Sequence, residues 1–503
     1  MKSALIIVLL LPLLAGIYVP DARPSGIQAS DLRPFNLKGV RSTRSLPLRS
    51  HPAFPWSRRA ARNRAGYYEQ PAGLCEDYPE DDRSPEKLRQ DFETVRRTGA
   101  RLLRFGISWL DVEKAPGQYD WSFWDRFVAM AARYQITLLP YVCYTPEWAG
   151  RASDDFWRLP PRDPGRYEAF MTTIARRYRG RIRSWELWNE PDNPQFWQGT
   201  VEEYAQLLAA GARGVRQAAP DANLVLGGLA FGPGNFLKTL LIRYHVQDMV
   251  DVVNFHGYNE TWSPDQVERY ADQIEAVRAL LSSVGSDLDL WMAEFGYSDY
   301  RFETRQASEG GVRAIYAYEH TPEYQAVMLF KAHVLALATG DLSLTAWYRI
   351  HDLKPAEGVI GDAHNRHLGI LDLQGHPKPA YYALRFRNRP FDHSTRLIDR
   401  EIRIEAPADT QGVVHAFERS DGTVIVVGWL RTPRPESVPD TSGMAVDRRA
   451  EQIAVTLPTR RLTHLRLFDV LGNPTGAEAL PAPTSFHLTL HGDQCAIAQI
   501  SSR

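Results

Sequence analysis

Between Gly73 and Arg387 the chain alternates short, continuously apolar runs with longer segments whose apolar residues recur every three or four positions. Residues 84–100, SPEKLRQDFETVRRTGA, put Leu88, Phe92 and Val95 on one helical stripe behind Ser84 at a capping position. The next run, RLLRFGISW, reads as a strand, and WSFWDRFVAMAARY as a helix. The same exchange of periods continues through ITLLPYVCY, IRSWELWNE, NLVLGGLA, VDVVNFHGY, LDLWMAEFGYS and LTAWYRI, with helical segments between them. With a loosely defined first strand near Gly73 to Asp77, the pattern predicts eight strand–helix units. Each crossover helix returns the chain to the same end of the sheet, so the strands pair in parallel. Eight units predict an α/β fold, a closed (β/α)8 TIM barrel, in preference to an open doubly wound sheet. No G-x-G-x-x-G follows any of the strands, which disfavours a dinucleotide-binding sheet. After Pro390 the helical period disappears, and runs such as GVVHAFERSDGTVIVVGWLR alternate around turn signals. They predict a smaller C-terminal all-β sandwich.

The N-terminus changes the picture. One Lys precedes an apolar run from Ala4 to Val19, the layout of an export signal. The run falls short of the ~20 residues of a comfortable membrane span, but also fits an uncleaved anchor. The stretch after it is rich in Arg, Pro and Ser and reads as a solvated tether. The expected organisation is therefore 1–22 signal peptide or N-terminal anchor, 23–64 linker, 65–389 barrel and 390–503 β-sandwich. Export to the periplasm or the outside follows as an expectation, with an N-terminal membrane tether as its variant. A formal net charge of −1 argues against a nucleic-acid partner. Cys75, Cys143 and Cys495 are widely spaced and show no C-x-x-C, so neither a disulfide framework nor a structural zinc site is expected. His364 and His367, spaced i, i+3 without supporting carboxylates, do not make a metal site. No metal or cofactor is expected.

In a barrel of this kind the chemistry sits at the C-terminal ends of the strands. Strand 2 delivers Arg104, with Ser108 and Trp109 beyond it. Strand 3 leads to Tyr144, Glu147 and Trp148, and strand 4 ends at Asn189 and Glu190. Strand 6 ends at His256 and Tyr258, strand 7 at Glu294, and strand 8 at Trp347 and Tyr348. A lone Glu at a strand end is usually a salt-bridge partner. Two of them, with an Arg and an Asn, form the pair that glycosidic cleavage needs: one carboxyl protonates the leaving oxygen while the other attacks or stabilises the anomeric carbon. Glu186 lies deeper on strand 4 and reads as a buried, paired barrel residue.

WELWNEP and WMAEFG resemble the two glutamate motifs of the clan A retaining glycoside hydrolases, whose glutamates end strands 4 and 7. GQYDWSFWDRFVAMA, YTPEWA and HLGILDLQGHPKPAYYAL bring the resemblance closest to glycoside hydrolase family 39. It covers the barrel and is most specific at Asn189-Glu190-Pro191. It implies Glu190 as acid/base, Glu294 as nucleophile, and Asn189 as partner of the sugar 2-hydroxyl. It further implies that Arg104 and Tyr258 hold the nucleophile, and that His256 and Trp347 line the sugar subsite at the cleavage point. For His256 a packed structural role stands beside that one. Trp109 and Trp148 are candidate sugar platforms, with rim packing as the alternative. An Arg beside Glu294 would keep it ionised, and a drier pocket would keep Glu190 protonated. Pro191 is expected to end the strand and keep Glu190 extended.

The expected function is a retaining glycosidase acting on a polysaccharide or oligosaccharide, either an exopolysaccharide endoglycosidase or a β-xylosidase-like enzyme. The loop after Glu294 is long and carries several Arg and Tyr, so the family's xyloside chemistry is not assumed. The competing readings are a non-catalytic carbohydrate-binding barrel and a scaffold partner of an envelope polysaccharide export system.

Overall fold

The computed structural model describes residues 66–79, 83–300, 319–354, 363–391, 394–433, 447–480 and 484–502. The signal and linker assignments, and the centre of the long loop after Glu294, lie outside them. Eight parallel strands close a barrel: β1 Ala72–Cys75, β2 Leu102–Ser108, β3 Thr137–Cys143, β4 Ser184–Asn189, β5 Asn223–Gly228, β6 Val252–Gly257, β7 Asp289–Phe295 and β8 Leu342–Tyr348. Closure comes from β1 against β8, in register from Ala72 opposite Thr345 to Cys75 opposite Tyr348. The helices that follow the strands are α1 Pro85–Arg97, α2 Ser122–Tyr134, α3 Pro164–Arg177, α4 Val201–Ala218, α5 Asn235–Tyr244, α6 Arg269–Ser283, α7 Pro322–Thr339 and α8 Pro379–Arg387.

Local chemistry explains the helix starts. Ser84 Oγ accepts from the Lys87 amide at 3.1 Å, and Pro85 opens α1 where a missing N–H costs nothing. α4 carries a reciprocal capping box, Thr200 Oγ1 accepting from Glu203 N and Glu203 Oε2 accepting from Thr200 N. In α7 every residue from Tyr324 to Leu337 is buried, because the helix has the barrel on one side and the C-terminal sheets on the other. No helix among the described residues is long and apolar enough to cross a membrane.

The C-terminal strands are β9 Thr395–Leu397, β10 Arg403–Glu405, β11 Gly412–Arg419, β12 Val424–Leu430, β13 Ala450–Leu457, β14 His464–Phe468, β15 Pro474–Ala479, β16 Thr484–His491 and β17 Ala496–Ser501. They form a six-stranded sheet, β9-β11-β12-β17-β14-β15, and a three-stranded one, β10-β13-β16. Val424, Val426, Ala498 and Ile500 of the large sheet pack with Ile453, Val455, Phe486 and Leu488 of the small one. The other face of the large sheet, with Val427, Trp429 and Ile497, joins the barrel's own core. β12 is therefore covered on both faces, which is why VIVVGWL is apolar without alternation.

Inside the barrel, Cys75, Leu102, Leu139, Val225, Val252, Trp291, Leu344 and Ala346 fill the lower layers. This floor is mostly apolar, with buried Ser184, Asn223 and Asn254 among its residues. The charged side chains of the site lie above it, toward the C-terminal ends of the strands.

Candidate active site

Arg104 stands one inward step above Leu102 on β2 and is fully buried. Its Nε and Nη2 donate to the two oxygens of Glu186, each at 2.8 Å. Its Nη1 donates to Glu294 Oε2, and Nη2 also reaches Asn189 Oδ1 at 2.8 Å. One guanidinium thus joins a structural carboxylate from β4, the end of β4, and the end of β7. Burial opposes its charge, but Glu186 and Glu294 outweigh that and hold it well above the ordinary Arg value. Glu186, fully buried, also accepts the Gly228 amide at 2.8 Å, which marks it as a bracing residue of the floor.

Two breaks in strand alternation aim the other groups. On β4, Leu187 and Trp188 both face the helices, because Trp188 adopts φ 83° and packs edge-on to Trp197 at 5.1 Å. Positive φ on so bulky a residue is strained, and it returns Asn189 to the inside beside Arg104. Glu190 follows at φ 43°, not the extended geometry expected before a proline, while its amide stays bonded to Gly228 O at 2.9 Å. On β7 the ladder slips by one residue against both neighbours, Trp291 facing Asn254 but Glu294 facing His256. The bulge turns consecutive residues Ala293 and Glu294 inward and sends Phe295 out to the helices.

The two glutamates then face each other, a carboxylate oxygen of Glu190 lying within 4.8 Å of one of Glu294. His256 sits between, its Nδ1 2.7 Å from Glu190 Oε1 and 3.6 Å from Glu294 Oε1. Burial would lower the imidazole, but the charge of Glu294 and the bond to Glu190 raise it above its usual value. Its Nε2 lies against Gly228, where a Cβ would come to 2.0 Å, so the ring needs a glycine there. Tyr258 OH donates to Glu294 Oε1 at 2.7 Å. Burial and Glu294 push this phenol well up, so it stays a donor.

Three open readings are decided and one expectation changes. His256 has a side chain without solvent exposure and touches Glu190, which favours the packed, bracing role over the sugar-lining one. Trp347 points outward: its indole donates to Leu368 O at 3.3 Å and its ring meets Phe295 edge-on at 5.3 Å. Its neighbour Tyr348 has the inward position, half-buried, with its OH 3.0 Å from Asp77 Oδ2. Trp109 is wholly buried, stacked on Phe170 at 5.6 Å and bonded through its indole to Glu113, so it is core and not a platform. Trp148 keeps partial exposure but lies edge-on to Trp109 and donates to Glu113 O, which fits rim packing.

Residue reading missed Asp77 and Tyr141. Tyr141 OH donates to Asp77 Oδ1 at 2.5 Å, and the Arg104 guanidinium lies 4.4 Å from the Tyr141 ring centroid. The signal was available: Tyr141 shares its inward parity with Leu139, and Asp77 lies two residues beyond β1. Asn193, at the end of the turn after Glu190, was also passed over; its Nδ2 donates to Glu190 Oε2 at 2.8 Å.

Among the described residues two clusters have the spacing of metal ligands, Glu190 with His256 and Glu294, and Asp299 with Asp352 and His367. Each already contains a cation. Arg104 is paired with Glu294, and Lys378 lies 2.8 Å from Asp299 and 3.1 Å from Asp352. The second cluster reads as an ion-pair brace between the segments that leave β7 and β8.

Comparison with known proteins gives the family and the fold. The sequence pattern of Glycosyl hydrolases family 39 matches residues 65–389, and the chain belongs to that family. A family 39 glycoside hydrolase from Bacteroides cellulosilyticus superposes with a TM-score of 0.62 at 19% identity, covering 86% of this chain and 81% of that one. A monomeric β-xylosidase from Caulobacter crescentus gives 0.63 at 17% identity, covering 87% and 97%. Both share the fold. An intracellular exo-α-(1→5)-L-arabinofuranosidase from Streptomyces lividans is 36% identical over 90 residues, 17% of this chain; the match spans only 13% of that relative's length.

Proposed function

We propose that this glycoside hydrolase works by double displacement with retention, Glu294 as nucleophile and Glu190 as acid, then base. The observation that carries the reading is the carboxylate separation, within 4.8 Å between nearest oxygens. Retaining pairs stand ~5–5.5 Å apart, whereas inverting pairs need ~6.5–9.5 Å to admit a water. In the first step Glu190 gives its proton to the leaving oxygen as Glu294 bonds to the anomeric carbon. In the second, Glu190 takes a proton from water, which displaces Glu294 and restores both groups.

The surroundings support this division. Arg104 and Tyr258 hold Glu294 as an oriented carboxylate. The Asn189 carbonyl oxygen is occupied by Arg104, so its NH2 end is the one left to donate to a sugar hydroxyl. Asp77, with Tyr141 and Tyr348 donating to its two oxygens, offers acceptors to the hydroxyls of the bound ring.

The substrate is a polysaccharide or oligosaccharide. A β-xyloside is the first to try, since one structural neighbour is a β-xylosidase by name. Export remains part of the proposal on the pattern of residues 1–22 alone. The test is proton NMR of the first-formed anomer from aryl β-glycosides, with azide added to Glu190→Ala. Retention, with azide restoring turnover as a glycosyl azide, is expected. An inverted first product would overturn the mechanism while leaving the hydrolase.

A further inference from the structure

We propose that Asn193 is a positioning residue that holds the second oxygen of Glu190 and sets the pH range over which that carboxyl acts as an acid. Both oxygens of Glu190 are engaged: Oε1 faces His256 Nδ1 at 2.7 Å, and Oε2 accepts from Asn193 Nδ2 at 2.8 Å. The two partners differ in kind. A neutral imidazole nitrogen donates in one tautomer and accepts in the other, so His256 suits both protonation states of Glu190. An amide NH2 only donates.

Asn193 is also fixed in that role. Its Oδ1 accepts the Gln195 amide at 3.0 Å, and its own backbone N–H donates to Glu190 O at 3.0 Å. Turning the side-chain amide over would give up the Gln195 bond and set two acceptors face to face. A locked donor at Oε2 favours the carboxylate over the acid. It therefore restrains the proton-giving step at high pH, and by holding Oε2 in place it orients Glu190 for the step in which it takes a proton from water.

The other ionisable groups around Glu190 separate from this effect. His256 comes from β6, with Glu294 of β7 beyond it and Tyr258 on Glu294. Arg104 reaches Glu294 and Asn189, with no bond to Glu190. Asp192, in the same turn, accepts the Ala230 and Phe231 amides, each at 2.9 Å. Burial, with a smaller push from Glu190, raises it to about 6. Its titration would shape the acidic side of a pH profile, whereas loss of the acid form of Glu190 shapes the alkaline side.

This inference rests on Glu190 being the acid/base, and the experiment separates the two. Asn193→Asp keeps an oxygen for the Gln195 amide, removes the donor and adds a charge; Asn193→Leu removes donor and acceptor together. For each, kcat/KM is followed against pH on the phenyl β-glycoside that the wild type cleaves best from a panel of xyloside, glucoside, galactoside and mannoside. The alkaline limb should move up by roughly half to one pH unit in Asn193→Leu and further in Asn193→Asp. On the 2,4-dinitrophenyl glycoside, whose leaving group needs no proton, kcat should fall several-fold as the base-assisted step slows. An alkaline limb unmoved in Asn193→Asp overturns the inference. If Glu190→Ala is not rescued by azide, or the wild type cleaves none of the panel, the acid/base reading fails first and takes this one with it.

Discussion

The two sides of the cleft hold the same residue type in opposite ways. On the β7 side, Glu294 meets a guanidinium and a phenol, Arg104 and Tyr258. On the β4 side, Glu190 meets an imidazole and an amide, His256 and Asn193, with no permanent cation among its bonded partners. Arg104 is braced from across the barrel by Glu186, so Glu294 inherits the rigidity of the floor. Glu190 is held by its own turn and by β6. On the proposed mechanism the difference has a chemical sense: the fixed cation belongs to the group that must stay ionised, and the adaptable partner to the group that must change state.

Substitutions can break that contrast, beginning with the largest effect. Glu294→Gln should lose roughly a thousandfold or more in kcat for every leaving group. Glu190→Ala should instead lose little in kcat/KM on a dinitrophenyl glycoside, where only kcat falls as the second step loses its base, and roughly 10²–10⁴-fold in kcat/KM on a phenyl one. Steady-state rates on the two substrates read this directly, and equal losses would erase the distinction between the sides. Arg104→Met comes next: it leaves Glu186 and Glu294 as uncompensated buried charges, at about 3–5 kcal/mol of stability. Denaturant unfolding beside kcat/KM checks it, and both should fall. Tyr258→Phe removes one donor to a charged group and should cost roughly tenfold in kcat/KM with the melting temperature little changed.

The smallest effect lies two residues beyond Tyr258 in the same loop. Glu260 is fully buried there, and burial together with Glu268 raises it from 4.5 to about 8. Between those values the folded chain keeps a proton that the unfolded chain has released, so stability falls as pH rises through that window. Glu260→Gln should flatten this slope and melt higher than the wild type at pH 9, on the order of a few degrees. Nearly equal pH dependence in the two proteins would show that Glu260 ionises without cost.

Much of this was legible in the residues. The exchange of strand and helix periods yields the eight-unit barrel and the all-β module, because burial against helices or against a second sheet leaves different periods in the chain. The pairing of Glu190 with Glu294 was legible from their positions at strand ends. The errors fall at the ends of strands and just beyond them. Trp347 was placed at the subsite and Tyr348 was not, because the inward face of β8 depends on its register with β1 and β7. Trp109 stayed open between platform and packing because an aromatic ring suits both, and a single helical turn after β2 folds it into the core. Asp77, Tyr141 and Asn193 escaped because each acts through a partner remote in sequence or through a turn whose hydrogen bonds leave no motif.

What the sequence determined is the scaffold and which polar and charged side chains stand at the strand ends, since apolar periodicity and residue chemistry are local properties. The tertiary structure decided which way those groups point. A positive-φ tryptophan on β4 and a one-residue slip on β7 turn Asn189 and Glu294 inward. Both are settled by packing and ladder register with neighbouring strands, and a side chain's face in a sheet reverses with every single-residue shift.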